Sequence, residues 1–365
     1  MLVWELDTPA LVVDLDIMEQ NLRRAAEYAA AHDLRLRPHT KTHKSPELAQ
    51  RQLALGAAGL TVAKVGEAEV MLGAGPADLL LAYPVIGAAK LRRLVKVACS
   101  ARVTVALDSL TTATELSDAA RDAAVSLGVL AEVDVGVGRV GVTPGRELRD
   151  LVRGLASLPG LEFEGIAFYP GHIRRLDEAG MKALDVLDRL VHSIVADLRR
   201  DGFEAPIVSG GSTPALYHSH RVTAMNEIRP GTYIFNDRNT AACGACDASD
   251  CAAFVLATVV STARPGQIII DGGSKTFSSD RLAGAGDEAG YGLVIEDPRA
   301  VFIKMNEEHG FVDVRACDTH FRIGDRVRVI PNHVCTAVNL HETMYGIRGE
   351  EVVAEWRVEA RGKLQ

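Results

Sequence analysis

The sequence holds no window of about 18 uninterrupted apolar residues, so no transmembrane helix and no membrane partner are expected. Its start, Met1-Leu-Val-Trp-Glu-Leu-Asp-Thr-Pro9, lacks the basic region and long apolar stretch of a secretory signal. Positive charge is not in excess. Forty Lys and Arg face 48 Asp and Glu, for a net charge of −8, which argues against wholesale nucleic-acid binding. Only six cysteines occur, and without a framework spacing. That excludes a disulfide-stapled scaffold and favours a reducing, cytoplasmic setting with free or metal-bound thiols. Internal repeats and low-complexity linkers are also missing. What is present, 47% hydrophobic and 24% charged residues in a chain of 365, is the composition of a globular protein with room for one large domain or two.

Apolar strand-like runs then alternate with helical patterns. Strands are expected near 7–14, 33–38, 58–63, 78–83, 102–107, 129–135, 163–169, 205–208 and 225–228. Helices are expected over 15–31, capped by Asp14, and over 45–56, 65–74, 87–98, 109–126, 146–157 and 176–200. From 33 onward this rhythm predicts an α/β fold, a parallel (β/α)8 TIM-like barrel over 13–240; a doubly wound open sheet gives nearly the same local pattern. After residue 240 helices become scarce. Strands near 253–261, 266–271, 299–303, 311–315, 325–330 and 351–359 predict a mainly β domain made of 1–12 and 241–365. The glycine-rich stretch 281–291 reads as a mobile loop.

In such a barrel the chemistry sits at the C-terminal strand ends. Strand one ends in Arg35-Leu-Arg-Pro-His-Thr-Lys-Thr-His-Lys44, a concentration of positive charge suited to an anionic or electrophilic partner. Lys41 holding pyridoxal phosphate (PLP) as a Schiff base is one reading; a solvated basic loop is the other. Lys64 ends strand two, Asp134 and Arg139 follow strand five, and Tyr169, Gly171 and His172 follow strand six. Strand seven runs into Ser209-Gly-Gly-Ser-Thr-Pro214, whose glycines, hydroxyls and helix-starting proline suit a phosphate. Strand eight runs into Arg229-Pro-Gly-Thr-Tyr233.

Two motifs need weighing. Gly136-Val-Gly-Arg-Val-Gly141 matches the dinucleotide-binding fingerprint, but Val142-Thr-Pro-Gly145 breaks the helix that the fingerprint needs. A nicotinamide-dependent dehydrogenase rests on that motif alone. His333-Val-Cys335, if on a strand, would put an imidazole and a thiolate on one face as half of a zinc site. Cys243, Cys246 and Cys251 lack a paired Cys-x-x-Cys and read as ordinary thiols.

Together these stretches resemble the fold-type III PLP enzymes, in the group of D-serine dehydratase, D-threonine aldolase and D-3-hydroxyaspartate lyases. The matching segments are Asp7-Thr-Pro-Ala-Leu-Val-Val-Asp14, Arg37-Pro-His-Thr-Lys-Thr-His-Lys44, Val133-Asp-Val-Gly-Val-Gly-Arg139, Ser209-Gly-Gly-Ser212, Arg229-Pro-Gly231, Glu308-His-Gly310 and His333-Val-Cys335. The resemblance implies an alanine-racemase-like barrel followed by a β domain. It implies that Lys41 carries the cofactor, with His39 in support, and that Arg139 lies near its phenolic oxygen. Tyr169 and His172 would line the ring or substrate. Ser209, Gly210, Gly211, Ser212, Gly231 and Thr232 would hold the phosphate, and Arg229 would face the pyridine nitrogen. His333 and Cys335 would bind a divalent metal. Zinc suits the thiolate best, with manganese or magnesium as alternatives.

The implied function is a lyase acting on small D-β-hydroxy-α-amino acids, most simply dehydration to a keto acid and ammonia. Retro-aldol cleavage to glycine and an aldehyde is the alternative. An amino-acid racemase lacks its second-base tyrosine segment here, and a non-catalytic PLP-binding protein would not need the residues after 240. A homodimer is expected from the resemblance.

Overall fold

The alternation expected from residue 33 onward folds into eight parallel strands. In this computed structural model, which describes residues 1–365 apart from the side chain of Asp287, the chain divides into two units. One comprises Arg23–Lys41, Pro46–Gly231 and Gly362–Gln365; the other comprises Met1–Leu22, Thr42–Ser45 and Thr232–Arg361.

In the first unit the strands are Arg35–Leu36, Leu60–Val62, Asp78–Leu81, Arg102–Leu107, Leu127–Val133, Leu161–Phe168, Ile207–Gly210 and Glu227–Ile228. From the second strand to the eighth each pairs in parallel with the next, and the eighth pairs with the first. The ring closes between strands one and two through a parallel bridge, His39 with Thr61. There the Thr61 amide donates to the Pro38 carbonyl and the Thr40 amide to the Thr61 carbonyl. A barrel, not an open sheet, is therefore the architecture.

Helices alternate with strands because their apolar residues recur every three or four positions. Arg146–Ser157 buries Leu148, Leu151, Val152 and Leu155, and Glu178–Arg200 buries Leu184, Leu187, Val191, Ile194 and Leu198. Asp177 caps the second of these by accepting from the Gly180 amide. Asp14 does the same for Leu15–Ala31, accepting from the amides of Asp16 and Ile17.

The short first and last strands are joined by charge. Arg37 is buried, with Nε 2.9 Å from Glu227 Oε2 and Nη1 2.9 Å from Asp78 Oδ1. Ser209 Oγ donates to the other oxygen of Glu227 at 2.7 Å. One carboxylate thus ties strands one, seven and eight together, and Arg37 extends the tie to strand three.

The second unit is a nine-stranded sheet. In order across the sheet its strands are Gln267–Ile270, Gly310–Asp313, Val301–Met305, Gly292–Val294, Arg326–Pro331, Ala253–Arg264, Ala10–Asp14, Thr343–Arg348 and Glu351–Arg357. Ala253–Arg264 also pairs with Gln267–Ile270, which closes six of these strands into a ring. The strands Gly292–Val294 and Thr343–Arg348 were not legible in the sequence. Gly346 interrupts the second pattern, and its reason is close packing: a Cβ there would press on the Trp356 ring and the Leu15 side chain. The stretch expected to be a mobile loop is fastened. Asn239 Oδ1 accepts from the Ala283 amide at 2.8 Å, and the Ala289 and Gly290 carbonyls accept from Arg238 and Asn332. No helix among the described residues is long and apolar enough to cross a membrane.

Candidate active site

The basic segment after strand one separates into structural and available charge. Arg37 is committed to Glu227 and Asp78. Burial alone would lower its affinity for the proton, but the two carboxylates outweigh this and raise it. Lys44 does not fit a solvated basic loop: it is buried, with Nζ 3.3 Å from the Ala360 carbonyl. His43 is fully buried and accepts from the Ser45 amide through Nδ1. His39 is half-buried, its Nδ1 3.4 Å from the Lys41 amide. Lys41 is exposed. Its backbone follows a stretch pinned on both sides, by the bond from His39 to the Pro230 carbonyl and by the Thr40 bond to Thr61.

The loops after strands five and six meet. The Arg139 guanidinium lies 5.0 Å from the Tyr169 ring centre, and Gly136 sits against the His172 ring, where an added Cβ would come within 3.3 Å. The glycine fingerprint is not a nucleotide site. Asp134 Oδ1 accepts from the amides of Gly136, Val137 and Gly138, which pulls its carboxyl below the usual range, and no helix opens before Arg146.

After strand seven, Gly211 has φ +83° and a Cβ on Gly210 would strike the Phe168 ring, so only glycines allow this loop. The amides of Gly211, Ser212 and Thr213 donate to no acceptor among the described residues. Pro214 does not open an α-helix as its position suggested. It lies in a turn before the 3-10 helix Leu216–Arg221, so a phosphate here would be met by loop amides rather than by a helix N-terminus. Ser209 faces the other way, its hydroxyl spent on Glu227. Arg229 is buried deeply enough to lower its proton affinity. Its Nη2 donates to the Phe168 carbonyl, while Nη1 is sealed from solvent with no acceptor. An orphaned buried donor is costly, and it fits a cofactor ring that brings an acceptor. Gly231 is the last residue of the barrel unit's segment Pro46–Gly231, and Thr232 is the first of the β unit's segment Thr232–Arg361.

In the β unit, His333 and Cys335 are not on a strand. His333 is the N-cap of the helix Val334–Leu340 and Cys335 lies in its first turn, so helical winding rather than strand alternation brings them together. Cys335 Sγ is 3.2 Å from the Thr42 hydroxyl and 3.8 Å from that of Thr232. Behind the imidazole stands Asp237, a residue that the sequence reading missed. Its Oδ2 is 3.2 Å from His333 Nδ1 and accepts from the Val334 amide, while Oδ1 accepts from the Thr240 amide and hydroxyl. The available signal was an Asp one residue before a short helical pattern. Burial disfavours the imidazolium, but Asp237 and Cys335 together outweigh it and push His333 up to about 11.

A carboxylate holding one imidazole nitrogen, with the other left for a cation beside a thiol, is the arrangement of a metal-ligating histidine. Among the described residues no group of three or more His, Cys, Asp or Glu is placed to hold a metal. A metal on this pair would keep positions for water or substrate, as catalytic rather than structural sites do. Asp237→Asn keeps a good helix cap and should lower metal affinity about 10–100-fold. Competition against a chromogenic chelator measures this; unchanged affinity would leave Asp237 with capping alone. The cluster Cys243, Cys246 and Cys251 consists of free thiols, and contact with Cys246 together with burial pushes Cys251 up.

A parallel barrel with a lysine after its first strand, glycine-built amides after its seventh, and a separate β unit defines an alanine-racemase-like PLP fold. Comparison with known proteins agrees. Residues 13–239 match the family described as alanine racemase, N-terminal domain, and residues 252–347 match the serine dehydratase domain family. The chain is 34% identical to a D-threonine aldolase of an Arthrobacter species, covering 98% of this chain and 93% of that one. It is 34% identical to D-threo-3-hydroxyaspartate dehydratase of a Delftia species, covering 96% and 97%. The crystal structure of D-threonine aldolase from Filomicrobium marinum superposes with a TM-score of 0.92 at 32% identity, over 99% of this chain and 98% of that one. The protein belongs to the alanine racemase and D-serine dehydratase family of PLP-dependent enzymes, and the relatives named here are lyases.

Proposed function

We propose that the protein is a PLP- and divalent-metal-dependent lyase that dehydrates D-β-hydroxy-α-amino acids. The observation that carries this reading is the His333–Cys335 pair backed by Asp237. Its second ligand is a thiolate, as in the dehydratases that the sequence resembles, where aldolases of the group usually have a carboxylate. A thiolate–imidazole pair selects Zn²⁺ over Mg²⁺ or Mn²⁺.

When bound, PLP withdraws electrons from the substrate's Cα and the metal acts as a Lewis acid toward its β-hydroxyl. The chain supplies the rest. Lys41, exposed after strand one, would hold the cofactor through Nζ, and the same amine would serve as base for the Cα proton. The loop amides of Gly211, Ser212 and Thr213 would hold the cofactor's phosphate, and Arg229 Nη1, which has no acceptor, would donate to its ring. Arg139, 5.0 Å from the Tyr169 ring centre, would lie near the cofactor's phenolic oxygen, and Tyr169 and His172 would line the cofactor or substrate. Asp237 keeps Nδ1 of His333 protonated, which leaves Nε2 for the metal. Thr42, joined to Lys41 by a peptide bond, sets its hydroxyl against Cys335.

A second reading, retro-aldol cleavage, is favoured by the likeness to the two D-threonine aldolases. In it, the β-hydroxyl loses its proton instead of leaving. Incubation with D-serine, D-threonine and D-3-hydroxyaspartate separates the two. Ammonia with a keto acid is the expected result. Glycine with an aldehyde would transfer the assignment to the aldolase reading, and neither pair of products would overturn both. We place the enzyme in the reducing cytoplasm, on the evidence of six free cysteines. A homodimer is carried over from the resemblance, and sedimentation would test it.

A further inference from the structure

Glu132 lies on the fifth barrel strand, near the end that carries Asp134 and Arg139. It is 8% exposed. No hydrogen-bond donor among the described residues reaches its carboxyl oxygens, and they are not sealed from solvent as Arg229 Nη1 is. The charged groups that it faces are Arg229 after strand eight, Arg139 after strand five and Asp108 after strand four. None of the three forms an ion pair with it among the described residues. Burial raises the carboxyl's proton affinity, and the two arginines pull against this.

A carboxyl and a guanidinium of opposite charge thus stand buried in one barrel without bonding each other. Each is costly as it stands. A fold tolerates such a pair when a third charged body completes it, which is why unpaired buried groups gather where ligands bind. In this barrel that body is the cofactor, so the inference rests on the PLP reading given above.

We propose that Glu132 is a positioning residue for the cofactor: its carboxylate balances Arg229 and Arg139 and so holds the proton on the linkage between Lys41 and the ring. Two guanidinium groups alone would repel that proton. With Glu132 ionised the surroundings carry one positive charge fewer, and the protonated linkage in turn favours the ionised carboxyl. Glu132 touches no substrate in this role; it acts through the arginines and the field they make.

The test is a pH titration of the visible absorbance of the holoenzyme in wild type, Glu132→Gln and Glu132→Asp. Loss of one buried charge from the barrel, acting through an effective dielectric near 20, should lower the midpoint in Glu132→Gln by about one pH unit. Glu132→Asp, which keeps the charge, should titrate close to wild type. A Glu132→Gln midpoint equal to wild type would overturn the proposal. A Glu132→Asp midpoint displaced downward by about one pH unit would overturn it as well, and that measurement does not depend on whether Glu132→Gln folds. A wild-type protein without any visible band would refute the PLP reading itself, a result distinct from an unmoved midpoint.

Discussion

Lys41→Ala is expected to abolish the visible absorbance of the cofactor and to lower turnover by at least about 10³-fold, because one amine both anchors the cofactor and serves as base. The lysines nearby make the assignment testable. Lys44 is buried and spends Nζ on the Ala360 carbonyl, and Lys64 stacks its ammonium 3.6 Å from the Tyr83 ring centre. Both have structural employment, whereas Lys41 is exposed at the end of a pinned backbone. Lys44→Ala should therefore cost stability and keep the band. A Lys41→Ala protein that retains the band after borohydride-free dialysis and reloading would sink the lysine assignment. Free PLP can give colour, so absorbance is read after gel filtration.

Removal of the metal is the second large effect. Dialysis against a strong chelator should extinguish lyase activity, and Zn²⁺ should restore it more fully than Mg²⁺, since a thiolate ligand favours the softer ion. His333→Ala and Cys335→Ala should each reproduce the chelated state, with no rescue by added metal at stoichiometric concentration. The loss belongs to chemistry and not to folding. The pair lies at the start of a helix that is also held by the bond from Val334 to Asp237, so circular dichroism of both variants should match wild type. Full activity in chelator would refute a catalytic metal.

Much of this was legible before any coordinates. The helix Leu15–Ala31 falls where spacing and Asp14 put it, and Arg146–Ser157 has the expected limits, because both have strong periodicity and clear ends. Strands one and eight shrink to two residues each because the barrel seam is held by side chains and single bridges that a pattern of apolar residues does not encode. The lysine cluster was visible as charge, yet charge alone could not tell that Arg37 belongs to Glu227 and Asp78, partners 190 and 41 residues away. His333 and Cys335 were found through the wrong geometry. A His-x-Cys spacing permits a strand, and a helix start serves equally well when the first residue is the cap. Asp237 was missed because its importance lies in a fold contact 96 residues along the chain. Glu132 was missed because, inside an apolar strand, one carboxylate reads as noise.

The ion pair at the barrel seam bears on the order of assembly. Bringing Arg37 against Glu227 closes a loop of 190 residues, and the entropy of such a closure is lost before the contact returns anything. Sequence-local strand pairs, from the second strand through the eighth, can form first; the first strand meets the eighth only when the whole circuit is in place. The segment that bears Lys41 is the direct continuation of that first strand. During refolding, colour from captured cofactor should therefore appear with the slowest rise in native structure, making PLP a reporter of ring closure.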